Sequence, residues 1–372
     1  MKNKRKVKEE RLEKNKNKIN EENIDDIINA INKKYGEGSL IKLGDIKNIN
    51  EECIPTGALS LDLALGVGGI PKGRVIEIFG AEASGKSTLA LSIVKQCQKM
   101  GGKAAYIDVE NSMSLEYAKN IGIDVANLLF SQPISAEQGL GIMKDLVKSN
   151  KIGVIVIDSL AALAPQQEID GEVGDQHMAL QARLMSQTLR DVNGFIAKSK
   201  TVVIFINQLR ATFNGGYGKP EDTPGGKALK FYSTIRMEVK KVEAIKDNNG
   251  IHIGNKVKVK VVKNKASAPM REAYFEIIFG RGIRKISAIF EAALSVGVII
   301  KEGNTFYYNN NKLGIGENKT KEILKNNKEL LAKIEEETKI VYYKKQEEQL
   351  TKIDDNGNDL NNEYIKDIEI LE

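Results

Sequence analysis

Gly80, Gly85, Lys86 and Ser87 stand in the order G-x-x-x-x-G-K-S, directly after the apolar run at residues 74–79. A strand that ends in a glycine-rich loop and reopens as a helix aims backbone N–H groups and a helix N-terminus at one point, which suits a polyphosphate. The helical spacing of apolar residues from Thr88 onward supplies that helix. The segment therefore reads as a nucleoside triphosphate site, with ATP and Mg²⁺ as its ligands. Ala81, Glu82, Ala83 and Ser84 form the intervening loop, Lys86 reaches the β- and γ-phosphates, and Ser87 reaches Mg²⁺, with Thr88 beside it. Gly80 and Gly85 permit backbone angles and a close approach that a Cβ would block.

Hydrolysis of a bound triphosphate needs an acid near the metal and a group that activates water. Residues 153–159 read G-V-I-V-I-D-S, an apolar strand closing on Asp158, which can orient water on Mg²⁺. Taken alone, this is also how a buried strand ending in a turn looks. Glu110 follows the apolar run at residues 104–109 and is the candidate for polarising the attacking water, although an unrelated surface glutamate would look the same. Gln208, in N-Q-L-R after a further apolar strand, can hydrogen-bond the γ-phosphate and report its loss.

These positions need a scaffold that brings strand ends together. Apolar runs at residues 75–79, 104–109, 128–131, 154–158 and 202–207 alternate with helical patterns, predicting an α/β fold with a mostly parallel, helix-covered sheet. Runs at 235–242 and 256–263, separated by D-N-N-G, predict a hairpin. A smaller unit follows, with a helix from Ile286 through Ala293, a strand at 305–308 and a helix carrying Ile323, Leu324, Leu330, Leu331 and Ile334. Ahead of the core, Ile24, Ile27, Ile28, Ile31 and Tyr35 mark an amphipathic helix at 23–35, ended by Gly36. The expected division is a basic, disordered tail at 1–18, a helix and linker at 19–52, the ATPase core at 53–282, a small C-terminal domain at 283–345 and an acidic, disordered tail at 346–372.

Among 372 residues, 41% are hydrophobic, enough for a sizeable core and smaller appended units. A formal charge of +6 permits a polyanionic partner, although abundant lysine throughout the chain accounts for part of it. Cys53 and Cys97 stand far apart with no metal spacing, fitting a reducing, cytoplasmic setting, and His177 and His252 make no metal pattern either. The basic first residues run into polar sequence, unlike a signal peptide, and no apolar run is long enough to span a membrane.

Further along, the chain contains A-L-Q-A-R-L-M-S-Q-T-L-R at 179–190, F-I-N-Q-L-R at 205–210, P-G-G-K-A-L-K-F-Y at 224–232 and V-V-K-N-K at 261–265. With G-A-E-A-S-G-K-S-T, these make the chain resemble the bacterial RecA recombinases from about Ile24 to Lys339. The resemblance implies a RecA-type P-loop NTPase core with an N-terminal helix and a small α+β C-terminal domain. It also implies a DNA-dependent ATPase that forms filaments on single-stranded DNA, pairs them with homologous double-stranded DNA, exchanges strands, and promotes self-cleavage of LexA-type SOS repressors.

By the same resemblance Glu110 activates water, Gln208 carries the γ-phosphate signal, and Tyr117 stacks on adenine. Lys263 and Lys265 match lysines that reach a neighbouring protomer's ATP, and the helix at 23–35 docks on the adjacent protomer. The DNA-binding loops fall at 168–178 and 209–225. Met178 and Phe213 would wedge between bases, Arg183, Arg190 and Arg210 would supply charge, and Gly225 and Gly226 close the second loop. Ser114 replaces the usual aspartate near adenine, Gly215 and Gly216 make the second loop less apolar, and the basic N-terminal extension has no counterpart. Two other classes remain open on sequence: a ring-forming helicase on the same core, and a DNA-binding scaffold for which ATP is only a switch.

Overall fold

The computed structural model describes residues 24–42, 52–172, 178–211, 221–224, 226–247 and 249–350. The chain divides into two compact units, residues 1–51 and 52–372. In the first, helix α1 covers residues 24–35. The left-handed Gly36 ends α1, and the Asn32 amide pairs with both backbone groups of Leu40. Ile24, Ile27 and Tyr35 are exposed on it.

The second unit opens with β1 (Cys53–Ile54), α2 (Leu59–Leu65), β2 (Ile70–Pro71), β3 (Val75–Gly80) and α3 (Lys86–Lys99). It continues through β4 (Ala104–Asp108), α4 (Leu115–Ile121), β5 (Leu128–Ser131), α5 (Ala136–Lys148) and β6 (Val154–Asp158). Next come α6 (Gln166–Ile169), α7 (Met178–Ser199), β7 (Val202–Gln208), β8 (Arg210–Ala211), β9 (Glu221–Asp222) and α8 (Gly226–Tyr232). The hairpin β10 (Ile235–Lys246) and β11 (His252–Asn264) leads to β12 (Glu272–Ile278) and β13 (Gly282–Ile283). The C-terminal part holds α9 (Lys285–Val296), β14 (Ile299–Glu302), β15 (Thr305–Tyr308), β16 (Asn311–Ile315), α10 (Glu317–Asn326) and α11 (Lys328–Leu350).

Nine strands form one sheet in the order β13-β12-β11-β10-β3-β7-β6-β4-β5. From β10 to β5 the neighbours run parallel, and from β10 to β13 they run antiparallel. The central strands are buried along their length because helices cover both faces, which is why V-I-E-I-F and V-I-V-I-D read as unbroken runs. One face packs on α2 and α3 through Leu61, Leu89 and Ile93; the other packs on α5 and α7 through Leu140, Met185 and Leu189. A third cluster, centred on Phe290, Phe306 and Ile334, forms the core of the small α+β domain. The parallel register sets Gly80 beside Gln208 and Asp108 beside Asp158, so these strands end at one level.

The structure departs from the sequence reading at several places. β12 carries charges inside its run, and Glu276 among them is buried yet paired, which hid the strand. The single helix expected around Ile323 to Ile334 is two, broken at Asn327, whose side chain accepts from Leu330 N and starts α11. α11 runs on to Leu350, past the expected start of a disordered tail at 346, because Tyr342 and Lys345 anchor it to Leu63 O and Val296 O. The first predicted DNA loop opens inside α6 rather than after it. The basic tail and residues 351–372 lie outside the described residues.

An ion network fastens the small domain to the sheet. Lys321 is fully buried and bridges Glu276 at 2.6 Å and Glu317 at 2.5 Å, while Arg284 holds Glu276 at 2.9 Å. Lys256 on β11 joins through Glu291 at 2.6 Å and Glu317 at 3.2 Å. Three cations thereby meet three carboxylates. Lys321→Met removes one cation from a dry site and leaves Glu276 short of a partner, with an expected loss of about 3–5 kcal/mol. Urea unfolding checks this, and a change below about 1 kcal/mol, the size of an exposed pair, would show the network to be idle.

Candidate active site

The loop between β3 and α3 is shaped by close backbone approach. A Cβ on Gly80 would fall 2.2 Å from Val239 O, and one on Gly85, at φ 101°, would fall 2.5 Å from Ile277 Cδ1. Gly85 also precedes α3, leaving the first N–H groups of that helix open to a ligand. Ser84 in the loop is buried, and among the described residues its Oγ has no hydrogen-bond partner, a donor group waiting for an acceptor. Lys86 donates to Ala81 O at 2.8 Å; burial pushes its amine down, opposed by the charges of Asp158, Glu110 and Glu82. Alongside runs a cleft of ≈ 320 Å³, bounded by Ser84 to Thr88, Tyr117, Asn255 and Phe279.

The acids converge on this loop from β4 and β6. Asp158 Oδ2 accepts from Ser87 Oγ at 2.6 Å and from Tyr106 Oη at 2.6 Å. Burial pushes the Asp158 carboxyl up, and these two donors oppose the shift. The Tyr106 phenol is pushed well above its usual range by burial and by the Asp158 charge. Beyond β4, the backbone N–H groups of Val109 and Glu110 both donate to Asp158 O, at 2.7 and 3.3 Å, which seats Glu110 over the end of β6. Glu110 Oε1 then accepts from Ser159 Oγ and, at 3.0 Å, from Gln208 Nε2.

This arrangement can hold a polyphosphate at the α3 N-terminus, and the Ser87 hydroxyl paired with the Asp158 carboxylate is a hard-oxygen donor set that fits Mg²⁺. Glu110 can accept a proton from water, and Gln208 couples that carboxylate to β7. Tyr117 lines the cleft, its hydroxyl 2.6 Å from Thr88 Oγ1. Ser114 caps α4 by accepting from Tyr117 N at 3.3 Å.

Comparison with known proteins matches residues 22–284 to the RecA N-terminal domain and residues 287–342 to the RecA C-terminal domain. The chain belongs to the RecA family. It is 50% identical over 303 residues to Protein RecA of Caldanaerobacter subterraneus subsp. tengcongensis, covering 82% of this chain and 88% of that one. It is 48% identical over 310 residues to Protein RecA of Clostridioides difficile (83% and 89%) and 47% identical over 327 residues to Protein RecA of a Caulobacter species (88% and 92%). The RecA family consists of nucleotide-using, DNA-binding ATPases that form filaments and act as recombinases, and the ring-helicase and scaffold alternatives are not favoured.

The structure leaves the residues expected to contact DNA less gathered than those around the phosphate loop. Met178 begins α7, and Arg183 and Arg190 are exposed further along it, Arg190 about 18 Å from the helix start. Arg210 lies in β8, which pairs with β9 and so brings the two ends of the second loop together. Phe213 and Gly225 lie outside the described residues. Gly226, at φ 74°, opens α8 against Ala182 of α7. Lys263 donates to Lys230 O at 2.6 Å and Phe231 O at 3.1 Å, and Lys265 reaches Phe231 O at 3.5 Å. Burial and the neighbouring Lys265 push the Lys263 amine down. Among the described residues no helix is long and apolar enough to cross a membrane.

Tyr106 and Ser159 escaped the sequence reading as site residues, since a tyrosine inside an apolar strand and a serine after one carry no motif. Their placement comes from the sheet: Tyr106 and Asp108 share a strand face, and the register puts Asp108 beside Asp158. Tyr106→Phe strips one donor from the buried Asp158 carboxyl, with an expected loss of about 1–3 kcal/mol in denaturant unfolding. An unshifted midpoint with an unchanged slope would show that the contact contributes nothing.

Proposed function

We propose that this chain is an ATP-driven recombinase whose nucleotide sits where successive protomers meet, so that binding and hydrolysis set the grip of a helical filament on DNA. The observation that carries this reading is Glu110 Oε1 held jointly by Ser159 and Gln208, above a phosphate loop with an unpartnered buried serine. One carboxylate there serves water activation, while the amide that holds it begins the connection to the second DNA loop. Lys86 and the loop N–H groups bind the phosphates, Tyr117 faces the base, and Ser87 with Asp158 holds Mg²⁺, which when bound neutralises phosphate charge.

Lys263 supports an intermolecular site. Val257, on the same strand, borders the nucleotide cleft, and six residues of extended chain place Lys263 about 20 Å from it. A phosphate contact by Lys263 or Lys265 is thus made to the nucleotide of another protomer. The exposed Ile24, Ile27 and Tyr35 of α1 give each protomer an apolar stripe to dock on its neighbour, a heterologous contact that does not close. In the same reading the loops at 168–178 and 209–225 grip the sugar-phosphate backbone of single- and double-stranded DNA, with Arg183, Arg190, Arg210, Met178, Phe213, Gly225 and Gly226 as contacts, leaving base edges free for pairing. In the same reading LexA-type repressors are a further partner class, met by the assembled filament.

Strand exchange between a circular single strand and homologous duplex tests the activity; product with homologous but not with non-homologous duplex is expected, and directional unwinding without pairing would favour a helicase. Glu110→Gln is expected to cut ATP turnover by about a hundredfold or more while nucleotide binding and filament assembly persist, and Lys86→Ala to weaken nucleotide binding as well. Phosphate release beside filament imaging separates the two outcomes, and normal turnover by the glutamine variant would remove Glu110 from the mechanism.

A further inference from the structure

A second cleft, ≈ 410 Å³, lies between α3 and the small C-terminal domain and shares no lining residue with the nucleotide cleft. Five cations line it: Lys95 and Lys99 from the last turns of α3, Arg281 from the turn before β13, Lys285 from α9 and Lys339 from α11. Two carboxyls face them. Glu335 is shared by Lys285 at 2.8 Å and Lys339 at 3.3 Å. Asp62 is engaged by Thr56, and burial pushes its carboxyl up to about 7, so near neutrality it brings less than a full negative charge.

Lys95 donates only to a neutral carbonyl, Ile121 O at 2.7 Å, and among the described residues no carboxylate pairs with Lys95, Lys99 or Arg281. Burial first, and then the neighbouring Lys99, push the Lys95 amine down. A lysine near a helix C-terminus interacts favourably with the dipole, which accounts for Lys99 alone. It does not account for Arg281, Lys285 and Lys339 arriving from three other elements. Leu63, Ile121 and Ile289 give the cleft apolar walls, and Tyr343 adds a ring.

We infer that this junction is a second anion site, for a small molecule carrying a polyphosphate chain, held by Lys95, Lys99 and Arg281 with the phosphates and by the apolar walls with whatever the chain is attached to. The site stands apart from the proposed ATP reaction, yet α3 links them: Lys86 opens that helix under the catalytic phosphates, and Lys95 and Lys99 close it. An anion here would bridge the core and the small domain.

The test is calorimetric titration of the full chain, first saturated at the phosphate loop with a non-hydrolysable ATP mimic and Mg²⁺. One arm adds inorganic tripolyphosphate and the other adds further ATP mimic. One additional saturable site per chain is expected, weakened about tenfold or more by Lys99→Glu with Arg281→Glu and kept by Lys99→Arg. Both altered residues are exposed, and an unchanged thermal midpoint with unchanged first-site affinity confirms that the variants are folded. Tighter binding in the mimic arm identifies a nucleoside polyphosphate; equal binding identifies a bare phosphate chain. Three results would overturn the inference: no binding beyond the first site, second-site binding indifferent to charge reversal, or binding that emerges only when residues 351–372 are removed, which would assign the cleft to the acidic tail.

Discussion

Four strands that end at one level hold this protein's chemistry together. The register of β3, β7, β6 and β4 puts Gly80 beside Gln208 and Asp158 beside Asp108, and each strand then releases a functional group into the same small volume. Because the strands are buried on both faces, a slip in register would cost their whole apolar packing, so the site geometry is as stable as the core. The hydrogen bonds at the strand ends exploit this rigidity. Val109 and Glu110 borrow the Asp158 carbonyl, and Glu110 in turn is fixed by Ser159 and Gln208.

What one chain lacks is equally informative about assembly. The proposed trans lysines lie at the far end of β11 from the cleft, occupied with the carbonyls that finish α8. An open, heterologous contact lets every protomer offer these lysines to the next while receiving them from the previous one. Nucleotide state and filament geometry are then linked reciprocally, because a ligand that tightens the seam must bind more strongly to the tightened seam.

Much of this was legible in the residues. The phosphate loop could be placed because glycine, lysine and serine at that spacing have few other uses, and the strands at 128–131, 154–158 and 305–308 were located to the residue because apolar runs bounded by turns have little freedom. β12 was missed because Glu276 looks like a surface residue until Arg284, just before α9, and Lys321 of α10 neutralise it. Tyr106 and Ser159 were missed for the same reason: their roles exist only through partners that are 52 and 49 residues away in sequence. Long-range pairing of polar groups leaves no local periodicity to read.

In the proposed function Gln208 transmits the state of the phosphate site to the DNA-facing loop through Glu110. Steady-state phosphate release with and without single-stranded DNA, in the native chain and in Gln208→Ala, tests it most directly. Strong stimulation by DNA is expected in the native chain and its loss in the variant, with ATP binding retained in both. Equal stimulation of the two proteins would contradict it.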